Sequence, residues 1–145
     1  MQYQLSELSQ LPIDLQTGDI VFLRGNLGTG KTTLTQELLT RQGIDRSLIK
    51  SPTYTYFQKY TSPSTHQTYF HFDLYRIEEY DVFLNIGGEE YLMDPMAIKF
   101  VEWPELLEHT FTPDIEIQLS DTGAGETRDI QVTYTAEGRK SGNIN

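Results

Sequence analysis

The sequence predicts an α/β fold, and three observations predict it. A short apolar run, Asp19 to Arg24, leads into a glycine-rich loop and then into a stretch with helical spacing. Two segments rich in aromatics and threonine, Tyr54 to Tyr60 and Gln67 to Asp73, flank Pro63 and its serine and threonine neighbours. Two alternating segments near the end, Ile115-Ile117-Leu119 and Ile130-Val132-Tyr134, are separated by Gly123 and Gly125.

The run Asp19-Ile20-Val21-Phe22-Leu23-Arg24 does not alternate. It reads as a strand buried on both faces, which suits the centre of a parallel sheet. Lys31 to Gln42 follows as a helix with Leu34, Leu38 and Leu39 on one face, and Gly43 is a natural stop. The aromatic and threonine-rich pair reads as an antiparallel hairpin with a loose loop. Ile77 to Ile86 has helical spacing through Ile77, Tyr80, Phe83 and Leu84, and Gly87-Gly88 ends it. Ala97 to Val101 is a further strand, although Lys99 inside it weakens the pattern. Pro104 then opens a short helix at its favoured first position. The last two segments alternate apolar with polar residues, so they form a second hairpin with one wet face. The reading gives one domain over 1–134 and a frayed tail over 135–145.

Composition narrows the function. The chain has 145 residues, 37% of them hydrophobic and 22% charged, an ordinary globular balance. That length suits one domain and leaves no room for a separate substrate domain. No apolar run approaches the roughly 20 residues of a membrane span, and the polar stretch from Met1 to Leu11 lacks a signal-peptide pattern. A cytoplasmic location is expected. Cysteine is absent, which excludes disulfides and thiolate metal sites. Net charge is −10, from 21 acidic against 11 basic residues. Such a surface repels a phosphate backbone at long range, so a nucleic-acid role is expected to run through a partner.

Gly25-Asn26-Leu27-Gly28-Thr29-Gly30-Lys31-Thr32 matches G-x-x-x-x-G-K-[ST] without a mismatch. The glycines let the backbone approach phosphate oxygens closely. The loop amides form an anion nest, and the helix start adds partial positive charge. Lys31 is expected to reach the β- and γ-phosphates, and the Thr32 hydroxyl to reach Mg²⁺. The nucleotide-contacting set is Asn26, Leu27, Gly28, Thr29, Gly30, Lys31, Thr32 and Thr33. The motif lies between a buried-strand pattern and an amphipathic helix, the context that distinguishes a phosphate loop from a chance glycine turn.

A phosphate-loop protein also needs a carboxylate to help place Mg²⁺. Glu102 ends the strand Ala97 to Val101; a solvated residue before a helix is its other reading. Asp73 ends Tyr69-Phe70-His71-Phe72-Asp73, and in a strand it shares a face with Tyr69 and His71. His71 alone is more often structural than catalytic, and Arg76 suits either a phosphate or a surface pair with Glu78 or Glu79. Pro52 draws Ser51 toward an extended shape, so Thr53 sits in either an ordinary turn or a switch-like loop. Trp103, the only tryptophan, suits either core packing or a place beside the nucleotide.

Four blocks occur in order: the phosphate loop, Ser51-Pro52-Thr53-Tyr54, His71-Phe72-Asp73-Leu74-Tyr75-Arg76 and Val101-Glu102-Trp103-Pro104-Glu105. Together they resemble the TsaE (YjeE) family, bacterial ATPases of tRNA threonylcarbamoyladenosine biosynthesis, from about Leu5 to the strand near Ile130. Thr29 stands where the family often has alanine, and Tyr54 where it often has phenylalanine. The resemblance implies a P-loop NTPase-like three-layer sandwich with a mixed, partly parallel sheet, and Mg-ATP as ligand. It implies Thr32 and Glu102 as magnesium ligands, with Lys31, Asp73 and Glu102 as the catalytic set. It puts Thr53 and Trp103 near the nucleotide. The implied activity is Mg-dependent ATP hydrolysis, slow alone. It supports modification of adenosine 37 in tRNA through partner proteins of the TsaB and TsaD type, without strong direct tRNA binding. The competing readings are a small-molecule kinase, which would need a lid and a basic acceptor pocket, and an ATP-sensing binding module without significant turnover.

Overall fold

A computed structural model describes residues 1–26, 28–50 and 56–135. Among these residues, seven strands form one sheet in which the parallel centre is flanked by antiparallel edges. In chain order the strands are β1 (Gln2–Gln4), β2 (Ile20–Arg24), β3 (Phe57–Thr61), β4 (Thr68–Asp73), β5 (Ala97–Glu102), β6 (Ile115–Asp121) and β7 (Thr127–Tyr134). Their order across the sheet is β1-β7-β6-β2-β5-β4-β3. The β2–β5, β2–β6 and β4–β5 pairs are parallel; β1–β7, β3–β4 and β6–β7 are antiparallel. The helices are α1 (Lys31–Arg41), α2 (Tyr80–Asn85) and α3 (Gly88–Leu92), with 3₁₀ turns at Leu5–Gln10, Arg46–Leu48 and Pro104–Leu106.

Strand parity divides the interior into two cores. Val21 and Leu23 of β2 and Ile98 and Phe100 of β5 face one side, where Leu34, Leu38 and Leu39 of α1 meet them with Leu8 and Leu11. Ile20, Phe22, Phe70, Phe72 and Val101 face the other side and pack with Phe83, Leu92 and Leu107. Both faces are therefore covered, which is why β2 reads as a continuous apolar run and Ala97 to Val101 of β5 as one broken only by Lys99. This is the three-layer mixed α/β sandwich that the family resemblance implies. Leu34 has no exposure, and its truncation to alanine would cost about 2–5 kcal/mol.

The expected elements are present among the described residues, with differences that have physical causes. The first hairpin arm, expected from Tyr54, becomes a strand only at Phe57 because Tyr56 is left-handed at φ 66°; Tyr54 and Thr55 lie outside the described residues. The helical spacing from Ile77 becomes α2 only at Tyr80, because Glu79 is extended at φ −124° and ψ 139°. Ile77 packs in the second core from a turn instead. Gly87 does end α2, at φ 78°, but Gly88 begins α3 rather than a loop. A side chain at Gly88 would fall 2.4 Å from the Phe83 ring, so the close approach of α2 to α3 needs its absence. Lys99 sits fully inside β5 because its ammonium reaches the end of the sheet. There it donates to the carbonyls of Gly18 (3.0 Å), Asp94 (2.6 Å) and Ala97 (2.9 Å). The polar N-terminal stretch, given no element by its pattern, supplies edge strand β1 and a 3₁₀ turn that buries Leu8. β7 ends at Tyr134, and Thr135 still bonds Asp114 and Pro113. The tail beyond lies outside the described residues.

Candidate functional site

The carboxyl ends of β2, β4 and β5, three of the four parallel strands, lie together, and register decides which side chains meet there. Asp73 stands directly opposite Glu102 in the β4–β5 ladder. Both have the parity of the residues that pack under α1, so their carboxyl groups lie on the α1 face. β2 leads into the glycine loop at the same end, and α1 begins at Lys31. A cavity of about 390 Å³ lies here, lined by the Gly28 and Gly30 backbone and by Lys31, Thr32, Asp73, Arg76, Glu102 and Trp103, with Leu5, Thr33 and Tyr75 completing the wall.

The loop closes tightly on itself. Gly25 has φ 152°, and a Cβ there would lie 2.6 Å from Thr29 Oγ1 and 2.7 Å from the Leu119 carbonyl, so only glycine fits. Thr29 donates through its hydroxyl to the Asn26 carbonyl at 2.7 Å, which uses the group that distinguishes it from alanine. Lys31 donates to the carbonyls of Gly25 at 2.5 Å and Asn26 at 3.1 Å. Its ammonium lies 4.0 Å from the centre of the Trp103 ring. Burial lowers the Lys31 pKa below its ordinary value, and Glu102, Asp73 and Glu105 oppose that shift by attraction.

Glu102 is the hub. The Thr32 hydroxyl lies 2.9 Å from Glu102 Oε1 and 3.0 Å from Oε2. His71 Nε2 is 2.5 Å from Oε2. A carboxylate only accepts, so Nε2 carries the proton and Nδ1 is left without a partner among the described residues. His71 is completely buried, and its ring fixes the direction of the Glu102 side chain. Asp73 is also buried, and its Oδ1 accepts the Tyr75 amide at 3.1 Å. Trp103 takes a left-handed backbone at φ 58°, uncommon for a bulky residue. That turn lays its ring against Tyr75 at 4.8 Å, on the cavity wall and away from either core.

Of the sequence-derived candidates, Gly28, Gly30, Lys31, Thr32, Thr33, Asp73, Glu102 and Trp103 line one cavity. Asn26 and Thr29 shape the loop through hydrogen bonds. Leu27 and Thr53 lie outside the described residues. The hard oxygens of Thr32 and Glu102 are the donor type that Mg²⁺ prefers. Among the described residues no three His, Asp or Glu side chains cluster as a full metal cage. Two oxygens of this type suit a metal held by one or two protein groups plus phosphate and water. Leu5, Tyr75 and Arg128 had no role in the sequence reading, and Tyr75 joins the wall through its contact with Trp103. Leu5 reaches the cavity because its amide bonds the Glu126 carbonyl at 3.0 Å, and no local pattern signals this. Arg128 contacts the glycine loop from β7. Its signal was present: stepping back by two from Ile130 puts an arginine on the buried stripe.

A family model described as threonylcarbamoyl adenosine biosynthesis protein TsaE matches residues 3–130. The chain is 36% identical over 106 residues to the tRNA threonylcarbamoyladenosine biosynthesis protein TsaE of Rickettsia bellii, covering 72% of this chain and 71% of that one. It is 33% identical over 123 residues to the protein of the same name from Bacillus subtilis, covering 85% and 73%. Among solved structures it is similar to Bacillus subtilis YdiB, with a TM-score of 0.68 at 23% identity over 94% of this chain and 86% of that one.

Proposed function

Because this chain belongs to the TsaE family, we propose that it is a Mg-dependent ATP hydrolase acting in tRNA threonylcarbamoyladenosine biosynthesis. The observation that carries the reading is the contact of the Thr32 hydroxyl with the Glu102 carboxylate, 2.9 Å apart beside the ammonium of Lys31. One hydroxyl, one carboxylate and one ammonium on the rim of an amide-lined loop are what a magnesium–triphosphate complex requires.

The residues divide the work. The loop amides and Lys31 bind the phosphates and balance their charge. Thr32 and Glu102 would hold Mg²⁺, which when bound neutralises charge on the phosphate oxygens. His71 keeps the Glu102 carboxylate aimed. Asp73 orients the attacking water through its carboxylate, and Trp103 contributes a flat wall beside the nucleotide. Hydrolysis of this kind depends on positioning and charge, so the rigid register of β4 against β5 matters more than any covalent step.

Slow turnover alone is expected. The activity is read as supporting partner proteins of the TsaB and TsaD type that modify adenosine 37, with ATP setting the association. The test is phosphate release from Mg-ATP by the purified protein, alone and with those partners. Stimulation by the partners supports the reading. No turnover in either condition, at saturating ATP and Mg²⁺, overturns the hydrolase assignment.

A further inference from the structure

We propose that Arg128 is a positioning residue for the phosphate loop, holding the carbonyls of Gly28 and Thr29 so that the loop keeps its shape and the Gly30 amide stays available to phosphate. Arg128 opens the buried stripe of β7 that continues through Ile130 and Val132, and it is 6% exposed. Its Nε donates to the Thr29 carbonyl at 3.1 Å and its Nη2 to the Gly28 carbonyl at 3.2 Å. Its Nη1 donates to Gly125 at 2.7 Å and Thr127 at 3.0 Å in the β6–β7 turn. Among the described residues no carboxylate lies within ion-pair distance of it. A buried cation served only by carbonyls is costly unless every arm is used, and here all three nitrogens are.

The geometry has a direct consequence for the loop. A trans peptide is planar, with its C=O and N–H pointing opposite ways. Holding the Thr29 carbonyl toward β7 turns the Gly30 amide away from β7, and Gly28 and Gly30 both line the cavity. A loop this rich in glycine has many alternative backbone states, and the planar five-donor fork of one arginine removes several at once. The same fork joins the loop to the β6–β7 turn. Nucleotide binding and the order of that turn are therefore coupled, and the coupling is reciprocal.

This inference rests on the nucleotide reading of the site, and wild-type binding tests that reading separately. Calorimetric titration with Mg-ATP is run on wild type, R128K and R128M, with melting temperatures taken without nucleotide. Hydrogen exchange of the wild-type turn over residues 123–128 is followed with and without Mg-ATP. R128M is expected to weaken ATP binding about tenfold or more, the scale of one lost charge-assisted hydrogen bond. R128K should retain part of the affinity, and bound nucleotide should slow exchange in the wild-type turn. A lowered melting temperature with unchanged affinity would make Arg128 a purely structural residue and overturn the proposal. If R128M does not fold, unchanged affinity in R128K or unchanged exchange in the wild-type turn overturns it equally. Failure of wild type to bind Mg-ATP would instead remove the nucleotide reading before any substitution is made.

Discussion

The Thr32 hydroxyl and the Glu102 carboxylate are separated by 70 positions in the chain and by 2.9 Å in space. One belongs to the first turn of α1 and the other ends β5. Their contact exists because β5 pairs in parallel with β2, which feeds the loop and the helix. The site therefore depends on strand register as much as on the motif.

Glu102→Gln and Asp73→Asn keep side-chain shape and remove one charge each. Both are expected to lower ATP turnover on the order of 100-fold, the scale of removing one preorganised charge-stabilising group, while nucleotide affinity changes less. The Mg²⁺ dependence should shift mainly at Glu102, the residue that Thr32 and His71 contact. Normal turnover in both variants, measured with the partner proteins present, would remove these roles.

Lys31→Met separates binding from folding. Its ammonium is buried, and burial disfavours its charged form. A methionine of similar length should leave the nucleotide-free protein as stable as wild type or more so, because it removes a desolvated charge. Mg-ATP binding should fall at least tenfold, the loop having lost its lysine. Paired thermal melts and calorimetric titrations check both halves, and retained affinity would contradict the phosphate role of Lys31.

Lys99 gives a pH dependence whose sign is fixed by its position. Burial lowers its pKa in the folded protein, opposed by attraction from Asp94, Asp114 and Asp19. In the window between that lowered value and the ordinary 10.5, the unfolded chain binds more protons than the folded one. Stability from this residue therefore rises with pH across the window and levels above 10.5. Relative to Lys99→Met, wild type should gain stability as urea melts are moved from neutral pH into that range. The comparison cancels tyrosine titration common to both proteins, and a difference that stays flat or falls would refute the burial effect.

Five basic residues among the described ones turn their charge to groups within the protein. Lys31, Lys99 and Arg128 direct their charge inward to carbonyls. Arg24 is met by Glu105, Glu108 and Glu116, and Arg46 by Glu37. With a net charge of −10, the isolated protein should show negligible tRNA binding at physiological salt. Association with partner proteins should instead depend on ATP. A fluorescence titration with purified tRNA decides the matter; tight, salt-sensitive binding would require direct RNA contacts.

What the sequence determined by itself was local. The phosphate loop, the buried run before it and the leucine stripe after it form one contiguous unit, so spacing and residue type specify β2, the loop and α1 together. Both hairpins were legible for the same reason, since alternation and turn residues act over a few positions. The tertiary structure alone decided the rest. Parallel pairing of β4 with β5 put Asp73 opposite Glu102, and burial closed His71 onto that carboxylate. An edge strand without a pattern of its own brought Leu5 to the cavity, and the antiparallel return of β7 carried Arg128 to the loop, 99 positions from Thr29. Such contacts are set by strand order and register, which local spacing does not encode, because the energy that selects them comes from burying two sheet faces at once.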